Sequence, residues 1–549
     1  MNFLIQDSNT EKADSSKKLL RKYAKQYDNE DLVAVSFVED AECKGDQFRI
    51  CVGDGDICIY AGTTVGFNCG VGYLIRHQHE HIENQVVSMA SDFRAVYFAT
   101  HFFNYYHEAP IEEICDYLES LALWGQNTLC IWFDMHHFAS IVDREAQEMI
   151  ERCRQLFAKA KALGMKTSLT HLANEYYKGT FGELLAQNST ESGKYFRNLC
   201  GYFGTELCPS KTEGEQRLLR SFETLLSCFA EVGLDYIMLW PYDQGGCTCD
   251  ACYPWGGNGF FRIAKKKSEI AKRHFPDISM IYSCWMFDAF TNGEWDAALD
   301  AIQNDGDWID ALMVNIHSPM PQRLSEIAKP ILSFPEISMT YAVPWGGFGC
   351  NPYPQLLSRQ FQNNSFLIRG GALYSEGIFE DINKVVSLAL MRDASLDPSE
   401  IVREYCAYHF SPDCADAMTD IIMRMETTLP RRTLINGIVH CDYPSGKPEV
   451  LHTYEILYPD AVQSIACDML VIDSRLSDDI RNSWRYRQIY LRAIGDWALL
   501  RNNGVPNAET DAIYAELVEI YHAQKAFYFV APITQKSIME NYGNGNGVS

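Results

Sequence analysis

Eight times between Asp92 and Asn383 the sequence repeats one alternation: a short apolar run rich in β-branched and aromatic residues, a polar or aromatic ending, then an amphipathic helical stretch. The apolar runs are RAVYFATHFFN (94–104), NTLCIWFDMHHF (127–138), KTSLTHLANEYY (166–177), DYIMLWPYDQGG (235–246), ISMIYSCWMFD (278–288), WIDALMVNIHS (308–318), ISMTYAVPWGG (337–347) and GGALYSEGIFED (370–381). Continuous apolar runs joined by helices are what parallel strands require, because each crossover helix buries one side of the sheet. Eight such pairs predict an α/β chain built on a closed (β/α)8 TIM barrel. Helical stretches such as APIEEICDYLESLALWG and REAQEMIERCRQLFAKAKALG end in glycine, which closes a helix by taking up left-handed backbone.

The flanks differ from this repeat. Residues 1–91 pass from a Lys-rich helical stretch to DLVAVSFV and FRICVGDGDICIYAGT, which read as strands, and then to the glycine-punctuated helix TVGFNCGVGYLIRHQ. This predicts a small N-terminal α/β domain, followed by the barrel over 92–384. From 385 to 549 strand signals fade, and segments such as SEIVREYCAYHF and IRNSWRYRQIYLRAIGDWALLRNNG predict a helical C-terminal domain ending in a flexible tail, NYGNGNGVS.

Lys and Arg number 47 against 72 Asp and Glu, a formal charge of −25, which repels nucleic-acid phosphates and anionic membrane surfaces. The N-terminus lacks the basic start and apolar core of a secretory signal, and no run approaches the ~20 apolar residues of a membrane span. Nineteen scattered cysteines, an odd number, fit the reducing cytoplasm. A homo-oligomer is compatible with all of this.

In a (β/α)8 barrel the C-terminal strand ends carry catalysis. Here they are crowded with His101 and Asn104; Asp134, His136 and His137; Asn174 and Glu175; Trp240, Tyr242 and Asp243; Trp285 and Asp288; Asn315 and His317; Trp345; and Tyr374 with Glu376. Carboxylates mixed with Trp and Tyr point to sugars, since glycosidic cleavage uses paired Asp or Glu and sugar C–H faces pack on aromatic rings. Asp243, in WPYDQGG, is the candidate general acid, with Trp240 and Tyr242 placed to desolvate it and raise its pKa. Glu376 is the candidate base or nucleophile, and Glu175 an alternative acid. Trp240, Trp285 and Trp345 would stack the sugar; His101, Asp134, His136, His137, Tyr242, Gln244, Asp288, Asn315, His317 and Tyr374 would bind it. The expected substrate is a carbohydrate.

CTCDAC places Cys247, Cys249 and Cys252 at metal-ligand spacing, with a structural zinc and a set of free thiols as equal readings. A fourth ligand is not evident, and Cys284 and Cys350, at other strand ends, are the candidates. No other cofactor is expected. HQHEH (77–81) reads as a solvated linker. No GxGxxG, Walker loop, GxSxG or HExxH appears.

With these residues in view, the layout resembles glycoside hydrolases of families 20 and 67, the β-hexosaminidases and α-glucuronidases. ICIYAGTTVGFNCGVGYLIR is similar to the end of their N-terminal domain, and FRAVYFATHFF to the arginine-led first barrel strand. DQGGCTCDAC is similar to the Cys-rich segment after the fourth strand in family 163 endo-N-acetylglucosaminidases and related bacterial barrel proteins. The resemblance implies an O-glycosidase for an N-acetylhexosamine or a uronic acid, and a rim dense with polar and aromatic groups, able to enclose a terminal sugar, predicts exo action. The chain departs from the hexosaminidases at Asp243-Gln244, where they carry Asp-Glu with Glu as acid. The acid is then Asp243, or it comes from another strand as Glu175 or Glu376. A metal-dependent carbohydrate hydrolase or deacetylase built on the Cys247 to Cys252 cluster, and a non-catalytic carbohydrate-binding protein, are the rival readings.

Overall fold

The structure, a computed structural model, describes residues 1–6, 10–26, 32–101, 104–180, 182–187, 205–241, 246–288, 292–316, 320–337, 349–428, 459–503 and 507–525. The N-terminal region holds β1 (Asn2–Ile5), α1 (Asp14–Tyr23), β2 (Leu32–Glu39), β3 (Phe48–Val52), β4 (Asp56–Ala61), α2 (Thr64–Arg76) and β5 (Gln85–Val87). They form one mixed sheet in the order β1-β2-β4-β3-β5. Two of its strands, β1 and β5, have four and three residues, too short to show the alternation by which a strand is read.

Parallel strands β6 (Phe93–Phe98), β7 (Thr128–Trp132), β8 (Lys166–Leu172), β9 (Tyr236–Trp240), β10 (Ser279–Ser283), β11 (Ala311–Val314), β12 (Ile331–Ser333) and β13 (Ile368–Ser375) close a barrel in sequence order. Their crossovers carry α3 (Tyr105–Glu108) and α4 (Ile111–Leu123), α5 (Arg144–Ala162), α6 (Thr212–Ser227), α7 (Gly259–His274), α8 (Glu294–Asp305) and α9 (Pro354–Asn364). Between β11 and β12 the described residues form a short 3₁₀ turn, Gln322–Glu326, in place of an α-helix. The protein is a TIM barrel, as its eightfold repeat predicts.

Strand seven is the one strand the sequence misplaces. The run 337–347 has the stronger β-branched and aromatic signal, but the barrel uses Ile331–Ser333, three residues between Pro330 and Pro335. So short a strand cannot display a period, and its flanking prolines read as punctuation. Glu336 still bridges to Tyr374 of β13; of the longer run only Ile337 lies among the described residues.

Closure depends on one glycine. At the seam between last and first strands Gly370 pairs with Phe93, with φ +139°, and a Cβ there would sit 2.2 Å from the Phe93 carbonyl oxygen. Only glycine tolerates both the backbone and the approach. Inside the barrel Tyr97, Trp132, Leu172, Met238, Trp240, Ile281, Met313, Phe334 and Ala372 pack into one cluster, separate from the layer between strands and helices.

Buried charged groups join the flanks to the barrel. Arg94, opening β6, donates to the Asp46 carboxylate (2.7 Å) and to the Gly125 carbonyl (2.8 Å). After α10 (Asp381–Arg392), which runs past residue 384, come α11 (Pro398–His409), α12 (Ala415–Thr428), α13 (Pro459–Asp473), α14 (Asp478–Arg481), α15 (Trp484–Arg501) and α16 (Ala508–Tyr521). The buried Asp381 carboxylate accepts from Tyr117 Oη (2.8 Å), Tyr405 Oη (2.7 Å) and Arg485 Nε (2.8 Å), tying α4, α10, α11 and α15 together. The tail NYGNGNGVS lies outside the described residues. Among those described, no helix is long and apolar enough to cross a membrane.

Candidate active site

Strand parity builds the mouth. Side chains alternate along a strand, so Trp132, Trp240, Phe334 and Tyr374 enter the barrel interior while their neighbours pack outward on helices. They form a continuous aromatic floor under the C-terminal rim: Trp240 lies 4.5 Å from Phe334 and 5.5 Å from Trp285, and Tyr374 stacks on Tyr97 at 5.4 Å. His101 meets Trp132 edge-on at 4.9 Å.

On this floor stand three carboxyl groups. Glu336, three residues beyond β12 and on the side of Phe334, accepts a hydrogen bond from Trp285 Nε1 at 2.9 Å. Glu376, just past β13, receives one from the Tyr374 hydroxyl at 3.1 Å. Burial, with the nearby Glu380 second, pushes the Glu376 carboxyl up to about 8. The Tyr521 hydroxyl of α16 donates to the Glu376 carbonyl at 2.6 Å, so the C-terminal helices hold this strand end from outside the barrel.

The third carboxyl, Glu175, stands beyond β8 and is entirely enclosed. Trp132 Nε1 donates to it at 3.1 Å, the His136 backbone N–H also at 3.1 Å, and His136 Nδ1 lies 3.0 Å away. Burial first, then the charge of Asp134, pushes Glu175 up to about 8. Burial also takes His136 down to about 3. At neutral pH the Glu175–His136 contact is therefore a hydrogen bond between uncharged groups. His101 is likewise held well below its ordinary pKa, by burial and then by His137 and His136. His137 goes the other way: burial lowers it, but the Asp134 carboxylate against its Nδ1 outweighs this and raises it.

The structure thus gathers His101, Asp134, His136, His137, Glu175, Trp240, Trp285, Asn315, Tyr374 and Glu376 at the C-terminal strand ends. Asp288 sits apart from the floor, exposed, with its Oδ1 accepting from the Glu294 N–H at 2.7 Å and its own N–H donating to Glu294 Oε2 at 3.1 Å, the bonds of a helix start. Tyr242, Asp243, Gln244, His317 and Trp345 lie outside the described residues.

Sequence reasoning missed Glu336. The available signal was its place directly after a short apolar run ending in Phe-Pro. Among the described residues two groups have metal-ligating atoms within 4.8 Å of one another: Asp134, His136 and His137, and Cys247, Cys249 and Cys252 joined by Cys208. The fourth cysteine is therefore Cys208, not Cys284 or Cys350; it arrives from the preceding crossover, a proximity that no local spacing encodes.

Taken together, fold and site define a (β/α)8 barrel whose mouth combines inward-facing carboxyls, an aromatic floor and uncharged imidazoles. No protein-family model and no curated protein matches the sequence. Among solved structures the fold is similar to a GH138 enzyme targeting pectin rhamnogalacturonan II, with TM-score 0.58 and 10% identity over 94% of this chain and 74% of that one. It is also similar to a family 89 glycoside hydrolase from Clostridium perfringens in complex with GlcNAc-alpha-1,4-galactose (TM-score 0.57, 14% identity, 93% and 64%). A third is a GH115 4-O-methyl-alpha-glucuronidase with specificity for decorated arabinogalactans (TM-score 0.57, 10% identity, 98% and 79%). At these identities the likeness is one of fold. The chain has the barrel architecture of these glycoside hydrolases and spans 64% of the length of the family 89 enzyme.

Proposed function

We propose that the protein is a glycoside hydrolase that removes a terminal sugar by a two-carboxylate mechanism without a catalytic metal. The observation that carries this reading is the pair Glu336 and Glu376, on neighbouring strands and on one aromatic floor, each hydrogen-bonded by an aromatic side chain from that floor. Glu376, held at about 8, carries a proton at neutral pH and donates it to the glycosidic oxygen. Glu336, accepting from the Trp285 indole, acts as base or nucleophile. This gives Glu376 the donor role that sequence reasoning assigned to Asp243. Asp243 follows β9 in sequence, outside the described residues, and is the alternative acid.

Trp240 and Trp285 supply the stacking surface, and neutral His101 and His136 with Asn315 the hydroxyl contacts. Among neighbours of the same fold, one was solved with a GlcNAc glycoside and one is a glucuronidase, which directs the substrate proposal to an N-acetylhexosamine or a uronic acid. Every described cysteine is a free thiol, in keeping with a cytoplasmic site of action.

The test is a panel of fluorogenic α- and β-glycosides, neutral, N-acetylated and uronic, assayed with the wild type and with Glu336→Gln, Glu376→Gln and Asp243→Asn. Turnover of one panel member, lost in the first two variants while their melting temperatures hold, supports the assignment. Full activity in Glu376→Gln with loss in Asp243→Asn moves the acid to Asp243. Sugar binding without turnover overturns the reading in favour of a carbohydrate-binding protein.

A further inference from the structure

Four cysteines from two separate loops converge on one point. Cys208 closes the crossover segment that follows β8, just before α6, while Cys247, Cys249 and Cys252 open the one that follows β9. Their sulfurs are not disulfide-bonded. The Cys208 sulfur stands 3.6 Å from that of Cys247, 3.7 Å from Cys249 and 4.0 Å from Cys252, and all four lie within 4.8 Å of one another. A tetrahedral Zn²⁺ with Zn–S bonds of about 2.3 Å separates its sulfurs by about 3.8 Å. The observed spacings bracket that value.

The surroundings agree with thiolate ligands. The Ser210 hydroxyl makes contacts to Cys208 at 2.9 Å and Cys249 at 3.4 Å. Donors aimed at sulfur orient ligands and disperse the charge of a four-thiolate centre. Three of the cysteines are buried and Cys249 is half-buried, an enclosure that shields a bound ion from water.

We infer that Cys208, Cys247, Cys249 and Cys252 bind one Zn²⁺ as a closed structural site. Four protein ligands leave no open position for water or substrate, so the ion acts on shape. Nearby, Asn174 Nδ2 donates to the Leu207 carbonyl (3.0 Å) and the Gly246 carbonyl (3.1 Å), one partner in each loop. The ion and Asn174 together staple the segment that follows β8 to the segment that opens at Gly246, fixing two neighbouring sectors of the rim.

The full-length chain, purified under reducing conditions from zinc-supplemented medium, should carry about one zinc by elemental analysis, and X-ray absorption should show four sulfur neighbours at about 2.3 Å. Co²⁺ exchanged into the site should give the intense near-ultraviolet bands of sulfur-to-cobalt charge transfer. Cys208→Ser should lower zinc retention after dialysis at least tenfold, whereas Cys284→Ser and Cys350→Ser should retain it. Should Cys208→Ser fail to fold, thiol titration of the wild type decides: chelation should expose up to four further reactive thiols. Wild-type protein without stoichiometric zinc that takes up no Co²⁺ under reducing conditions, or a nitrogen and oxygen coordination shell, overturns the inference.

Discussion

Among the described residues the barrel mouth holds two indole–carboxyl pairs, Trp132 with Glu175 on one side and Trp285 with Glu336 on the other, and they are built for different work. In each a tryptophan Nε1–H donates to a glutamate, at 3.1 Å and 2.9 Å. Glu175 is sealed, its side chain wholly inaccessible and bonded three times, to Trp132 and twice to His136. Glu336 retains 9% exposure and stands beside the half-buried Trp285. The same hydrogen bond thus serves as an internal brace in one place and as the orientation of a reachable carboxylate in the other. A carboxyl inside such a barrel becomes a reagent only when a substrate can touch it.

That contrast is open to direct attack. The largest expected effect is on the proposed catalytic pair: Glu336→Gln and Glu376→Gln should each lower kcat/KM by about 1000-fold, the range of a lost acid or base, with melting temperatures near wild type. Glu175→Gln should cost only about tenfold through misplacement of the rim, and an equal loss there would erase the distinction. Next come the indoles. Trp285→Phe should raise KM about tenfold as stacking and the Glu336 bond weaken, whereas Trp132→Phe should show chiefly as a lower melting temperature, since it leaves a buried carboxyl short of a donor.

The smallest and most diagnostic effect is in pH dependence. Glu376 must be protonated to donate, so kcat/KM should fall as pH rises through about 8. Glu175 and Glu376 both rise from 4.5 unfolded to about 8 folded. Their contribution to stability is therefore complete below about pH 4.5 and is lost as pH climbs toward 8. The melting temperature of Glu175→Gln relative to wild type should accordingly improve between pH 5 and pH 8.5, and a flat difference would show that Glu175 is not held protonated.

Much of this architecture was legible from local pattern. Seven barrel strands and most crossover helices announce themselves by period, and the strand-end side chains gathered at the rim follow from strand direction alone. What escaped is what depends on closure. Ile331–Ser333 is too short to carry a period, and Glu336 was lost with it. Cys208 reaches the other three cysteines only because β8 and β9 are neighbours in the closed sheet. The elevated pKa of Glu175 comes from burial and then from the charge of Asp134 on the neighbouring strand end, against the opposing hydrogen bonds of His136 and Trp132, which no single-strand reading contains.

The hydroxyl of Tyr521 on the Glu376 carbonyl carries an implication for modularity. Tyr521 also stacks on Phe379 at 4.6 Å and meets Tyr105 at 5.7 Å, so the last described helix grips the loops after the eighth and first strands at once. An excised barrel would keep every rim carboxyl yet lose the clamp across its own seam. The helical region is better regarded as the outer jaw of the barrel than as an appendage, and recombining such barrels with foreign C-terminal partners should fail unless an aromatic hydroxyl arrives at that carbonyl.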